Sequence, residues 1–153
     1  MAIDAETVVR QAYRSAEGDV LDLQGFIDLF AEDGVINAGG NSYRGEHLGD
    51  MLVMLAETTP DIHRELHRVN ALGDVVAVEL SIQGTFSRPF ESPAGVIQPT
   101  GAKLDFPGAD FWYLENGKVK EFNCHVGVRE MLAQMGVQPD YASAVSAADT
   151  AGS

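Results

Sequence analysis

The stretch 101–126, GAKLDFPGADFWYLENGKVKEFNCHV, constrains the fold more than any other part of the chain. Two runs rich in Phe, Trp, Tyr and Val are broken by Glu115-Asn116-Gly117, and Asn-Gly between such runs is the strongest short-range signal of a β-hairpin. The loop decides which residues of the two arms share a face. A two-residue turn at Asn116-Gly117 sets Asp110 opposite Asn123. A type I turn over Glu115-Asn116-Gly117, closed by a left-handed glycine and a bulge, pairs Leu114 with Lys118 and brings even-numbered residues of both arms together. The second register is preferred, because it gathers Leu104, Phe106, Trp112, Leu114, Phe122 and Cys124 on one side and leaves Lys103, Asp105, Glu121, Asn123 and His125 on the other. Asp110 is then the one carboxylate on an apolar face. Burial there disfavours its charged form and poises it for proton transfer.

A chain of 153 residues, 45% hydrophobic and 22% charged, suits one globular domain with a real core. Its 23 acidic residues against 10 basic ones, net charge −13, argue against nucleic acid or an anionic membrane surface as partner, since both need a basic footprint. The single cysteine, Cys124, excludes an intramolecular disulfide and disfavours a thiolate metal site. No run is apolar and long enough to span a bilayer, and the start goes straight into an amphipathic helical pattern, so a cytoplasmic protein is expected.

From the beginning, Asp4 caps a helix marked by Val8, Val9, Ala12, Tyr13 and Ala16, which Gly18 stops. Asp19 is read as the cap of a second helix, with Leu23, Phe26, Ile27 and Phe30 on one face, ending near Gly34. Residues 35–38 form a short strand and Gly39-Gly40-Asn41-Ser42 a loop. A third helix spans about 45–56, with Leu48, Met51, Leu52 and Leu55 as its stripe, and Pro60 follows its end. Two long strands, 62–72 and 75–86, meet at Gly73-Asp74. A two-residue turn there pairs Leu72 with Val75, and the same register carried down the hairpin sets His67 opposite Leu80, Glu65 opposite Ile82 and His63 opposite Gly84. His63, Glu65 and His67 then share the face of Val76, Val78, Leu80 and Ile82, while Arg68 meets Glu79 on the other. Residues 87–100, with three prolines, form a long loop suited to rimming or covering a pocket. A short helical segment, 128–135, follows the opening hairpin. The expected division is one domain over 1–139 and a flexible Ala/Ser-rich tail over 140–153. Helices first, then a mainly antiparallel sheet of long strands, give the α+β class, with helices on one face of a curved sheet and a cone-shaped pocket between them.

The run from Gly101 through ADFWYLENGKVKEF to MLAQMG resembles the end of SnoaL-like proteins, the polyketide-cyclase branch of the nuclear transport factor 2-like superfamily. AEGDVLDLQGFIDLFAEDGVI and YRGEHLGDML resemble the opening of the same fold. The resemblance implies a cone-shaped α+β barrel, three main N-terminal helices packed on a strongly curved sheet, and a homodimer through the outer sheet face. That fold hosts cyclases, isomerases, dehydratases, epoxide hydrolases and binding modules. Anthracycline-type cyclases carry a histidine where this chain has Asp110 and a catalytic aspartate where it has Cys124. Ketosteroid isomerases place a protonated aspartic acid near Asp110 as an oxyanion donor, with the general base at the position of Ala38. Neither catalytic set is intact in this chain.

Asp110 is the leading candidate for chemistry, as a general acid or base or as a proton donor to an enolate. The alternative is a structural aspartate hydrogen-bonded to Tyr13, a histidine or the first helix. His63, Glu65 and His67 can supply the base missing at Ala38 and Cys124; equally, they can be a polar cluster at the sheet edge or dimer interface, and no motif supports a metal there. Cys124 reads as an inert buried thiol. Tyr13 and Tyr43 are candidate hydrogen-bond partners for a carbonyl, and Phe86, Phe106, Trp112 and Phe122 candidate pocket walls for an apolar, fused-ring ligand. Glu65 and Cys124 complete the substrate-binding set. No phosphate loop, dinucleotide glycine pattern or nucleophile elbow is present, so no cofactor is expected.

The expected activity is cofactor-free proton transfer beside a carbonyl in a small apolar molecule, in the manner of a polyketide cyclase, isomerase or dehydratase. Asp110 exchanges a proton with the enolate oxygen, and His67 or His63 takes the carbon-bound proton. Two rivals stay open. One is a non-catalytic module that binds a hydrophobic ligand. The other is an epoxide hydrolase-like enzyme, which needs an arginine beside the pocket aspartate; the sequence places none inside, and Arg10, Arg14 and Arg64 are the ones to check.

Overall fold

The computed structural model describes residues 3–152. Asp4 caps helix α1 (Ala5–Ser15) by accepting a hydrogen bond from the Thr7 amide at 2.8 Å, and Glu6 in the first turn complements the positive end of the helix. Val8, Val9, Ala12 and Tyr13 recur at helical spacing and are buried. The second helix is shorter than its periodicity suggests. A 3-10 turn covers Gly18–Val20, and α2 (Leu23–Ile27) is capped by Asp22 rather than Asp19, its side chain accepting from the Gly25 amide. Phe30 is not the last apolar position of that helix but the first residue of strand β1 (Phe30–Ala38). Its register partner is Val119, so tertiary pairing overrides a locally helical pattern.

Gly39 and Gly40, with φ of 58° and 82°, make a two-residue turn that only glycine adopts without strain. Asn41 and Ser42, expected in a loop, therefore enter strand β2 (Asn41–Arg44). Helix α3 (Asp50–Thr58) follows a 3-10 turn at Gly45–His47 and buries Leu52. Strands β3 (His63–Leu72) and β4 (Val75–Thr85) form the first long hairpin. The loop at 87–100 contains a small hairpin of its own, β5 (Phe90–Ser92) with β6 (Gly95–Ile97). Strands β7 (Lys103–Glu115) and β8 (Lys118–Val126) form the second long hairpin, and α4 (Val128–Gln134) closes the domain. The Ala/Ser-rich end is helical as α5 (Tyr141–Ala151), capped by Asp140, with no residue buried. Among the described residues, no helix is long and apolar enough to cross a membrane.

The main sheet is six-stranded in the order β2-β1-β8-β7-β4-β3, with β1 and β8 parallel and every other pair antiparallel. Its inner face packs on α1, α2 and α3 in the expected α+β cone. Pro107 lies mid-sequence in β7, where a missing N–H would ordinarily break a ladder. Its carbonyl accepts from the Gly127 amide at 2.8 Å, so its nitrogen also faces the β8 side, beyond the last β8 pairing at Gly108–Val126. No ladder bond to β4 is lost.

Two registers differ from expectation, with different consequences. In the β7–β8 hairpin, Asn116 (φ 52°) and Gly117 (φ 77°) form a two-residue turn that pairs Glu115 with Lys118. The extra residue sits further along, at Lys120, so that Leu114 meets Val119 and Tyr113 meets Glu121. Next to the turn, buried Val119 takes the place expected for Lys118 opposite Leu114; past Lys120, even-numbered residues share a face as expected, and the partner of Asp110 becomes Cys124. In the β3–β4 hairpin, Leu72–Val75, Val69–Val78 and Arg68–Glu79 pair as expected, and Arg68 and Glu79 form an exposed ion pair at 3.7 Å. A bulge at His67 then shifts the register, giving Leu66–Leu80, Arg64–Ile82 and His63–Gln83. Beyond the bulge the faces exchange. Leu66 and Arg64 turn inward, and His63 and Glu65 turn to solvent.

Candidate functional site

A cavity of about 510 Å³ lies between the helices and the inner sheet face. Ala12 and Tyr13 of α1, Met51 and Leu55 of α3, and Leu80 and Ile82 of β4 form much of its wall. Gly39, Gly40 and Asn41, all exposed, line it at one end and mark its mouth. Phe90 of the 87–100 loop also reaches it, so this loop forms part of the rim.

Across the sheet, Ala38, Cys124, Asp110 and Val78 occupy one register row on β1, β8, β7 and β4. The first three are the positions to which the family resemblance assigns the isomerase base, the cyclase aspartate and the isomerase proton donor. Asp110 is the only one that carries an acid, and its residue is 3% exposed. Tyr13 donates its hydroxyl proton to Asp110 Oδ2 at 2.6 Å, and Trp112 Nε1–H donates to the Tyr13 oxygen at 3.0 Å. An indole can only donate, so the tyrosine proton is committed to the carboxyl. This chain is held by packing: Tyr13 meets Trp112 edge-on at 5.5 Å, and Trp112 stacks on Phe122 at 3.7 Å. Oδ1 of Asp110 is buried without a hydrogen-bond partner.

Burial pushes the Asp110 pKa from 3.8 up to about 6, against the lowering effects of the Tyr13 hydrogen bond, the neighbouring Cys124 thiol and the Arg64 charge. The carboxyl thus changes charge near neutral pH, with Oδ2 engaged by Tyr13 and Oδ1 buried without a partner. Burial, then the Asp110 charge, push both the Tyr13 hydroxyl and the Cys124 thiol upward. Cys124 lines the cavity as a thiol, and a thiol without thiolate character is no nucleophile.

Of the three arginines to check, Arg10 is exposed and paired with Glu6, Arg14 is exposed, and Arg64 lines the cavity. Its guanidinium donates to the Ala16 carbonyl at the C-terminal end of α1 at 2.7 Å. Burial draws its pKa down, opposed by Glu17 and Asp110. The bulge at His67 is what brings it inside. A sequence signal for that bulge exists: the apolar residues of the strand change parity between Leu66 and Val69.

The cavity therefore brings together Asp110, Tyr13, Tyr43, Phe106, Trp112, Phe122 and Cys124. It does not include His63, Glu65 or His67. His63 bridges Glu17 at 2.9 Å and Glu65 at 3.0 Å on the outer surface, and His67 bonds to the Ser81 hydroxyl at 2.7 Å there. Neither histidine reaches Asp110 or a molecule beside it. Phe86 is also displaced from its expected role. Past the end of β4, it is held by backbone bonds to Ala102 and Gly101, and its side chain is wholly in the core rather than on the cavity wall. Among the described residues no cluster of three or more His, Cys, Asp or Glu is placed to hold a metal ion.

A cone of helices over a curved sheet is the architecture of ketosteroid isomerase-like folds. The SnoaL-like domain matches residues 9–122, and the chain belongs to this family. Among solved structures, a candidate SnoaL-like polyketide cyclase from Jannaschia sp. CCS1 is 17% identical, with a TM-score of 0.77 over 91% of this chain and 97% of the other. AclR from Streptomyces galilaeus, a candidate hydroxylase, is 20% identical, with a TM-score of 0.75 over 88% and 97%. A hypothetical protein of ketosteroid isomerase-like fold from Catenulispora acidiphila is 18% identical, with a TM-score of 0.69 over 86% and 93%. At these identities the likeness establishes the fold. Among curated proteins none matches the sequence.

Proposed function

We propose that the protein is a cyclase- or isomerase-type enzyme that takes a largely apolar, carbonyl-bearing molecule into the cavity and moves a proton beside the carbonyl. The observation that carries this reading is Asp110: a buried carboxyl titrating near pH 6, with Oδ2 fixed by Tyr13 and Oδ1 unpartnered. As a carboxylate, Asp110 accepts the proton from the carbon next to the carbonyl. As the acid so formed, it returns that proton to the enolate oxygen or to another carbon. With His63 and His67 outside, one group does both steps, and Tyr13 holds it in place between them.

The test is exchange of α-protons into deuterated water over a panel of polycyclic ketones, followed by NMR. Exchange by the wild-type protein that falls by at least about a hundredfold in Asp110→Asn fits a general acid-base group. Retained exchange in that variant removes the assignment, and a ketone that binds without exchanging leaves a ligand-binding module.

The presence of Arg64 in the same cavity favours a second reading, hydrolysis of an epoxide, in which Asp110 serves as acid or base beside an arginine. No ion pair joins the two side chains among the described residues, which places this reading second. Incorporation of labelled oxygen from water into a diol product would put it first.

A further inference from the structure

Arg64 has more hydrogen-bonding capacity than the fold uses. A guanidinium carries five N–H donors. Here one nitrogen donates to the Ala16 carbonyl, and no ion pair involves the side chain among the described residues. Capping the end of α1 accounts for that single bond and for a favourable interaction with the helix dipole. It does not account for a guanidinium on the wall of a cavity lined mainly by aromatic, Met, Leu and Ile side chains, where an unpaired charge is costly. Glu17, the carboxylate whose charge acts most on Arg64, is already occupied. Glu17 Oε1 accepts from the Arg64 backbone amide at 3.0 Å, and Oε2 is 2.9 Å from His63 Nδ1. Asp110, the acid that lines the cavity, is bonded to Tyr13.

We propose that Arg64 is an anion-recognition group, and that the molecule taken into the cavity is amphipathic, with an apolar body against the aromatic and methionine walls and a carboxylate on the guanidinium. The inference rests on the proton-transfer reading of the cavity and narrows its substrate class to carbonyl compounds that also carry an acid group. Arginine suits this task because its planar fork matches a carboxylate with two parallel bonds. The bound anion takes up the donors left over by Ala16. It also competes with Asp110 for the positive field of Arg64, which favours the protonated form of Asp110 in the complex.

The experiment compares two probes of nearly the same shape, 1-naphthylacetic acid and 1-naphthylacetamide, titrated into the full chain at neutral pH by calorimetry. The acid binds at least about tenfold more tightly than the amide, the scale of a charge-assisted hydrogen bond. In Arg64→Gln the two probes bind alike, with amide affinity and melting temperature showing that the cavity persists. Arg64→Lys keeps part of the preference, since it retains the charge without the fork. Equal binding of acid and amide to the wild-type protein overturns the anion role and leaves proton transfer by Asp110 standing. An acid preference undiminished in both variants also overturns it. Failure of both probes to bind the wild-type protein overturns the cavity reading itself.

Discussion

The two faces of one sheet carry two polar clusters, and they behave in opposite ways. On the inner face Asp110 is enclosed by Tyr13, Trp112 and apolar walls, and its titration is governed by loss of water. On the outer face His63 sits between Glu17 and Glu65 with half its side chain exposed, and hydrogen bonding to Glu65 and Glu17 raises its pKa. The histidines look more like catalytic bases in a sequence. The contrast teaches that enclosure matters more than residue type: burial raises an ordinary carboxyl to a pKa of about 6, whereas an imidazole paired in solvent remains a surface group.

The contrast is sharpest in activity. Asp110→Asn lowers α-proton exchange at least about a hundredfold, while His63→Ala and His67→Ala stay within about twofold. A large loss in either histidine variant breaks the comparison. Next in size is stability. The folded pKa of Asp110 lies above its ordinary 3.8, so its favourable contribution is present below that value and lost as pH rises through about 6. Urea unfolding at pH 4 and pH 8 should show the wild-type protein losing on the order of 2 kcal/mol relative to Asp110→Asn. A third test concerns Tyr13. Exchange rises with pH as Asp110 ionises near 6, and the Tyr13 hydrogen bond holds that value down. Tyr13→Phe therefore moves the pH–rate profile to higher pH, whereas a profile that stays put would detach Tyr13 from the acid. The smallest effect belongs to the outer face. The His63 bridge stabilises below the ordinary imidazole pKa of 6.5 and is lost as pH rises through the raised folded value. His63→Gln then costs less than about 1 kcal/mol at pH 5 and nothing at pH 9, with exchange unchanged.

What was legible in the sequence follows from how local each signal is. The Asp4 cap and the stripe of Val8, Val9, Ala12 and Tyr13 lie within a few turns of each other, and α1 forms as read. The faces of the second hairpin were legible because side chains alternate whatever the loop does in detail. The placement of its extra residue at Lys120 moved the partner of Asp110 without moving its face. The spacing of Phe30 from Phe26 and Leu23 is helical, and only its distant partner Val119 makes it strand. The link from Tyr13 to Asp110 spans 97 residues and was visible only as one of several structural partners for the aspartate. On β3 a strict alternation through His67 puts the wrong residues inside, although the shift in parity between Leu66 and Val69 marks the bulge in the sequence.

That one unpaired residue in β3 works as a frameshift in space. Upstream of it, the strand turns Arg64 and Leu66 inward, with Arg64 on the cavity wall; without it, the identical strand would turn His63 and Glu65 inward. A relative that lacks or gains a single residue at this point thus exchanges a cationic wall for an imidazole–carboxylate wall with no change in residue type. Position-by-position alignment records such a relative as nearly the same protein, and the molecule entering its cavity meets a different one.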